Sequence, residues 1–182
     1  MPALRKASAY SKKIVVPYTR VSKKRHKSFI KTVPNQKIVK FTMGKHKEYA
    51  QDAFPHELTL ISKENVQLRH NAMEACRQFV NKKLDKELAG QYFFKIIPFP
   101  HHIQRENKML TGAGADRMQT GMQFAFGKSV GKAAILKEGS KIFMIAVSTE
   151  KGVLFARNVL KQIKSKLPCK VKILYEDKSK KE

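Results

Sequence analysis

The chain has 182 residues, 42% of them hydrophobic, and thirty-eight Lys and Arg stand against fourteen Asp and Glu for a formal net charge of +24. Such a surface repels itself unless a polyanion neutralises it, and nucleic acid is the natural one, since each phosphate contacted by Lys or Arg releases condensed counterions. No run of about 18 apolar residues occurs, nor the apolar stretch of a secretory signal, so the sequence reads as a soluble cytoplasmic protein and not a membrane one.

In chain order, residues 1–36 read as a basic arm. Across residues 1–50 fourteen bases face Glu48 alone. With Lys12, Lys13, Lys23, Lys24, Arg25 and Lys27 so close together, the arm cannot bury enough apolar surface to fold by itself and is expected to order against a partner. Residues 37–175 read as one domain. Strand-like runs at Lys37–Thr42 and His56–Ile61 come first. From Ser62 to about Leu84, the residues Leu68, Ala72, Ala75, Cys76 and Phe79 recur at three- and four-residue steps, the pattern of an amphipathic helix, with Ser62 as N-cap and a reversal at Gly90. Gln91–Ile97 reads as a strand.

Residues 101–117 follow neither period and read as a long mobile loop. Within it Gly112 and Gly114 let backbone approach phosphate, and Arg105, Lys108 and Arg117 supply charge on either side. Met122–Phe126 alternates like a half-buried strand, and Lys141–Ser148 is another. Val153, Ala156, Leu160, Ile163 and Leu167 form the stripe of a second helix that Pro168 stops, while Arg157, Lys161 and Lys164 face away. Lys170–Tyr175 is the last strand, and residues 176–182 form a charged tail. The expected fold is a single α+β domain, two helices packed on a mostly antiparallel or mixed sheet, with the aromatic and methionine positions serving as core more than as stacking platforms.

Catalysis finds little support. His101 and His102 are adjacent and would point to opposite faces of a strand, and beside Glu106 and Asp116 stands no nucleophile, ligand set or cofactor motif. Gly112 and Gly114 lack the spacing of a dinucleotide fingerprint. Cys76 and Cys169 form no CxxC pair and are expected to be reduced, with neither zinc nor a disulfide. His70, beside Arg69, reads as a structural or RNA-contacting histidine. The expectation is no enzymatic activity, no cofactor and no metal. Charge alone also allows a DNA-compacting protein, but residues 51–100 are nearly neutral, with seven bases and six acids, and no helix-turn-helix or heptad pattern appears.

The segments PYTR at 17–20, LRHNAMEACRQFVNKKL at 68–84 and PHHIQRENKMLTGAGADRMQTGMQFAFGKSVGKAA at 100–134 resemble the universal large-subunit ribosomal protein sixteen family, in the archaeal and eukaryotic form called ribosomal protein ten-e. The resemblance runs from about Pro17 to about Ile173. It implies a hammerhead-type domain bound to large-subunit rRNA of the 23S type, near the peptidyl-transferase centre on the aminoacyl-tRNA side. It also implies neighbouring large-subunit proteins as partners, no membrane and no homo-oligomer. The tip formed by Met109, Leu110, Thr111, Gly112, Ala113, Gly114, Ala115 and Asp116 would point toward tRNA and take part in subunit maturation. Expected rRNA contacts are Arg20, Lys23, Lys24 and Arg25 in the arm, Arg69 and His70, the loop residues Arg105, Lys108 and Arg117, and Lys128 and Lys132 beyond. The chain departs from the family pattern in Ser22–Phe29, which is longer and richer in Lys, and at Thr42, where an acid is expected. Its short end after the last strand, Lys178–Glu182, points to an archaeal form.

Overall fold

The computed structural model describes Tyr10 and residues 17–19, 33–106 and 128–178; the side chains of Glu106 and Lys128 are excepted. Among these residues lie the strands β1 (Thr42–Gly44), β2 (His56–Ser62), β3 (Val66–Arg69), β4 (Tyr92–Ile96), β5 (His102–Glu106), β6 (Lys128–Leu136), β7 (Lys141–Val147) and β8 (Val171–Asp177). Three helices accompany them, α1 (His46–Ala50), α2 (His70–Leu88) and α3 (Glu150–Ile163), the last running into a 3₁₀ turn at Lys164–Lys166. The strands form two antiparallel sheets, one ordered β1-β4-β7-β2-β8 and the other β3-β6-β5.

Strand β7 is buried at every position after Lys141 because it lies central and is covered on both faces. Phe143, Ile145 and Val147 enter the main core with Leu58 and Leu60 of β2, Phe94 of β4, and the α2 and α3 residues Met73, Cys76, Val80, Val153, Ala156 and Leu160. Met144 and Ala146 point the other way, into a second cluster with Phe54 and Phe93. Helix α1 closes that side through Tyr49, which stacks on Phe93 at 4.3 Å between ring centroids. The α+β class expected from the sequence is therefore present, with one further short helix and with the strands divided between two sheets.

The division has a local cause. After Ile96 the chain reads Ile97-Pro98-Phe99-Pro100, and a proline has no N–H to give a ladder. The ladder of β4 ends there, and β5 begins the second sheet. This corrects the reading of residues 101–117 as a continuous loop, because His102–Glu106 pairs with β6.

Helix α2 corrects a second boundary. Its stripe is real, but it begins at His70 and not at Ser62, because β3 runs straight into it and Arg69 at the N-cap gives no side-chain bond. Ser62 ends β2, where its hydroxyl donates to the Glu64 carbonyl and accepts from the Glu64 N–H, capping the β2–β3 turn instead. Leu68 is a strand residue, and Ala75 is exposed while Met73, Cys76, Val80 and Leu84 face the core. The far end is as expected: Ala89 and Gly90 adopt positive φ and reverse the chain.

The run Lys37–Thr42 is not a strand before Thr42. Its Val39 N–H bonds the Glu74 carboxylate on α2 and joins no ladder. Helix α3 matches its expected stripe from Val153 to Ile163, with Thr149 as N-cap accepting from the Gly152 N–H at 3.2 Å, but it gives way to the 3₁₀ turn before Leu167 and Pro168. The α1, β3, β5 and β6 elements were not anticipated as such, and Met122–Phe126 lies outside the described residues.

Candidate nucleic-acid interface

In the sheet β3-β6-β5, residues directly opposite one another share a face. Val66 and Leu68 pair with Leu136 and Ala134 on the side that joins the main core. The other side carries Gln67, Arg69, Gly131, Ala133, His102 and Gln104, since Arg69 and His102 both face Ala133 and Gln104 faces Gly131. This layer is polar yet buried: Gln67, His70, His102 and Gln104 are each less than a tenth exposed. Buried polar groups need partners. The Gln104 side-chain Nε2 donates to Gln67 Oε1 at 3.3 Å, and His102 Nδ1 accepts from the Tyr18 N–H at 2.8 Å. Tyr18 also accepts from the Ile103 N–H, so it adds a rung to the outer edge of β5.

His70 sits where this layer meets α2. Gly131 of β6 lies against the ring, and a Cβ there would stand 3.5 Å from Nε2, at van der Waals contact. Its Nδ1 has no hydrogen-bond partner among the described residues. Burial, and then the positive charges of Lys37, Arg69 and Lys132, lower its pKa to about 4. His102 is lowered too, by burial first and the Arg105 guanidinium second. Both imidazoles are therefore neutral at neutral pH, and the charge around them comes from the flanking Lys and Arg.

Two of those arginines hold tyrosines of the N-terminal region. The Arg105 guanidinium lies 3.4 Å from the centroid of the Tyr18 ring, and Arg69 lies 5.5 Å from that of Tyr10. Nearby, Phe41, Phe99 and His101 form a row, with centroids 5.5 Å apart for the first pair and 4.7 Å for the second. Phe99 is 45% exposed between its two prolines, whereas Tyr92, Phe93, Phe94 and Phe143 are fully buried. Among the described residues these aromatics serve as core, as the sequence suggests, and Phe41 packs against the main core, whereas Phe99 is largely exposed.

Of the residues assigned to RNA contact from the sequence, the fold brings Arg69, Arg105 and Lys132 to one sheet, with His70 beside it at the start of α2. Lys128 opens β6, though its side chain is outside the described set; Arg20, Lys23, Lys24, Arg25, Lys108, Arg117 and the tip Met109–Asp116 lie outside it altogether. Sequence reasoning missed Lys37, Gln67 and Gln104 here. The polar-apolar-polar order of His102, Ile103 and Gln104 was the available signal for a two-faced strand. Among the described residues no three His, Cys, Asp or Glu side chains converge on a possible metal position. Burial pushes the Cys76 thiol up to about 12 and raises Cys169 as well, which makes both poor nucleophiles.

Comparison with known proteins identifies the kind of protein to which this basic α+β domain belongs. The profile of the family described as Ribosomal protein L16p/L10e matches residues 17–174, and the chain belongs to that family of ribosomal proteins, which is not enzymatic. It is 41% identical over 173 residues to a protein of Methanococcus maripaludis named large ribosomal subunit protein uL16, covering 94% of both chains. The proteins of the same name from Staphylothermus marinus and Archaeoglobus fulgidus are 43% identical over 175 residues and 40% identical over 173, covering 95% and 94% of this chain and 94% and 93% of theirs. These relatives are archaeal, in keeping with the form that the sequence resembles.

Proposed function

We propose that this chain binds large-subunit rRNA through the sheet β3-β6-β5 and its flanks, as a structural constituent of the cytoplasmic large ribosomal subunit. The observation that carries the reading is the convergence of Lys37, Arg69 and Lys132 on the buried His70, close enough for their charges to act on it. Like charges that act together on one buried imidazole cost the isolated fold energy and are relieved by a polyanion. Arg105 adds to this surface, and the RNA contacts proposed for Arg20, Lys23, Lys24 and Arg25 in the arm and for Lys108, Arg117 and Lys128 around the tip add charge for the same polyanion. Most such contacts go to phosphate and fix position without reading bases, as suits folded RNA recognised by shape. In the subunit the tip at residues 109–116 faces tRNA beside the peptidyl-transferase centre on the aminoacyl-tRNA side and takes part in translation and subunit maturation. Neighbouring large-subunit proteins complete the surroundings of a monomer.

The test is a salt titration of binding between the purified chain and large-subunit rRNA. Affinity should fall steeply with salt, and the double variant Lys37→Gln/Lys132→Gln should lose about 0.7–0.9 in the log–log slope for each phosphate contact removed. Affinity that does not respond to salt, or a preference for duplex DNA over structured rRNA, would overturn the proposal.

A further inference from the structure

Between helix α3 and β8, an edge strand of the five-stranded sheet, lies a groove of about 380 Å³. Its floor is Val171 and Ile173 of β8, and its rim is formed by Lys63, Arg157, Lys161, Lys164 and Lys172. All five cations are exposed, and no carboxylate lines the groove. Elsewhere the protein pairs its cations where acids are within reach, as in Lys45–Glu48, Arg77–Glu74 and Lys178–Glu57. The groove cations make no ion pair among the described residues.

Their spacing is ordered. Arg157 and Lys161 on α3 and Lys164 at the start of the 3₁₀ turn that continues it stand at steps of four and three, so they share one face and span about 10 Å along the axis at 1.5 Å per residue. A nucleic-acid strand presents a charge about every 3.4 Å of helix axis, so this row covers about three phosphates. Lys172 on the facing strand and Lys63 in the β2–β3 turn close the other rim. The plain alternative is that lysines protect the free edge of β8 from pairing with another chain. Lys172 alone would serve that purpose, and it leaves Arg157, Lys161, Lys164 and Lys63 unexplained.

From this arrangement we infer a second phosphate-binding surface, a groove between α3 and β8 that takes the sugar-phosphate backbone of an rRNA segment. It shares no residue with the cluster around His70, so one copy of the protein holds two stretches of RNA. The inference rests on the rRNA-binding reading above, and the experiment separates the two.

The full chain carrying Arg157→Gln, Lys161→Gln, Lys164→Gln and Lys172→Gln is compared with wild type and with Lys37→Gln/Lys132→Gln in salt titrations against large-subunit rRNA. Removing four phosphate contacts should lower the log–log slope by about 3. The exposed positions should leave thermal unfolding unchanged, and the single variant Lys161→Glu, which should lower the slope by about 1, serves if the fourfold variant does not fold. A fourfold variant with wild-type slope and affinity, alongside a weakened Lys37/Lys132 variant, leaves the groove a solvated surface and overturns the inference alone. Wild-type rRNA binding combined with failure to enter large subunits would assign the groove to an acidic protein neighbour, which also overturns it. If wild type itself binds without salt dependence, the rRNA reading falls first and the groove with it.

Discussion

His70 ties the electrostatics of the site to the stability of the fold. Unfolded, it takes up a proton near 6.5; folded, burial and the neighbouring cations hold its pKa near 4. Between those values the unfolded chain binds more protons than the folded one, so this contribution is fully present above about 6.5 and disappears as pH falls to about 4. The span corresponds to about 3 kcal/mol at 1.36 kcal/mol per pH unit. His102, shifted in the same direction by burial and Arg105, adds to the loss. Glu74 acts in the same direction at lower pH: the Arg77 guanidinium, aided by Gln78 and the Val39 N–H, holds its pKa below the usual carboxylate range, so its stabilisation is lost only as pH falls further. Urea unfolding at pH 7 and at pH 5 should therefore give a clearly lower midpoint at pH 5, with a smaller drop for His70→Gln. Equal midpoints at the two pH values for the unaltered chain would mean that the imidazole is not held neutral by the fold. The sequence placed a histidine beside Arg69, but not its burial, because the strand that packs against it, with Gly131, lies about sixty residues further on.

At the scale of elements, the β1 edge depends on a single glycine. Gly44 has φ of +83°, and a Cβ there would lie 2.2 Å from the Tyr92 carbonyl oxygen, which accepts from the Lys45 N–H to anchor the strand. Gly44→Ala must move β1 off β4, at a cost of about 2–3 kcal/mol. That should lower the melting temperature by roughly 5–10 °C by calorimetry, at about 2–4 °C per kcal/mol for a chain of this size. A change of a degree or less would show that the turn relaxes without loss. Legibility in the sequence followed the same physical logic. Strand β7 and helix α3 were readable because their burial is decided by their own patterns, a continuous apolar run and a 3.6-residue stripe. Strand β6 carries Gly131, Ala133 and Ala134, residues of low strand propensity, and β5 turns a polar face inward. Partners far along the chain decide both, and nothing local announces them. The start of α2 was misread for a related reason, since β3 enters it without a capping side chain.

Across the whole molecule, the most basic segments are the ends, and the part of greatest functional interest connects two paired strands. The register of β5 and β6 extends to Glu106 opposite Lys128, so the ladder itself holds the two ends of the connection formed by residues 107–127. Charge, glycines and family resemblance mark that connection in the sequence, and they do so without reference to the packing of the domain. Shortening it by deletion of Thr111–Ala115 leaves sixteen of twenty-one residues, and because closure entropy varies only with the logarithm of loop length, the change is a few tenths of a kcal/mol. The deletion should therefore leave thermal unfolding and rRNA affinity near wild type. If the tip acts next to tRNA, cells that depend on the shortened chain should accumulate immature large subunits or translate slowly, as read by sucrose-gradient profiles and by peptide-bond formation on isolated subunits. Normal profiles and normal peptide-bond formation would remove the tip from the mechanism while leaving the domain as an rRNA anchor. A deletion that unfolds the domain would instead show that the segment contributes to packing that the β5–β6 ladder does not supply.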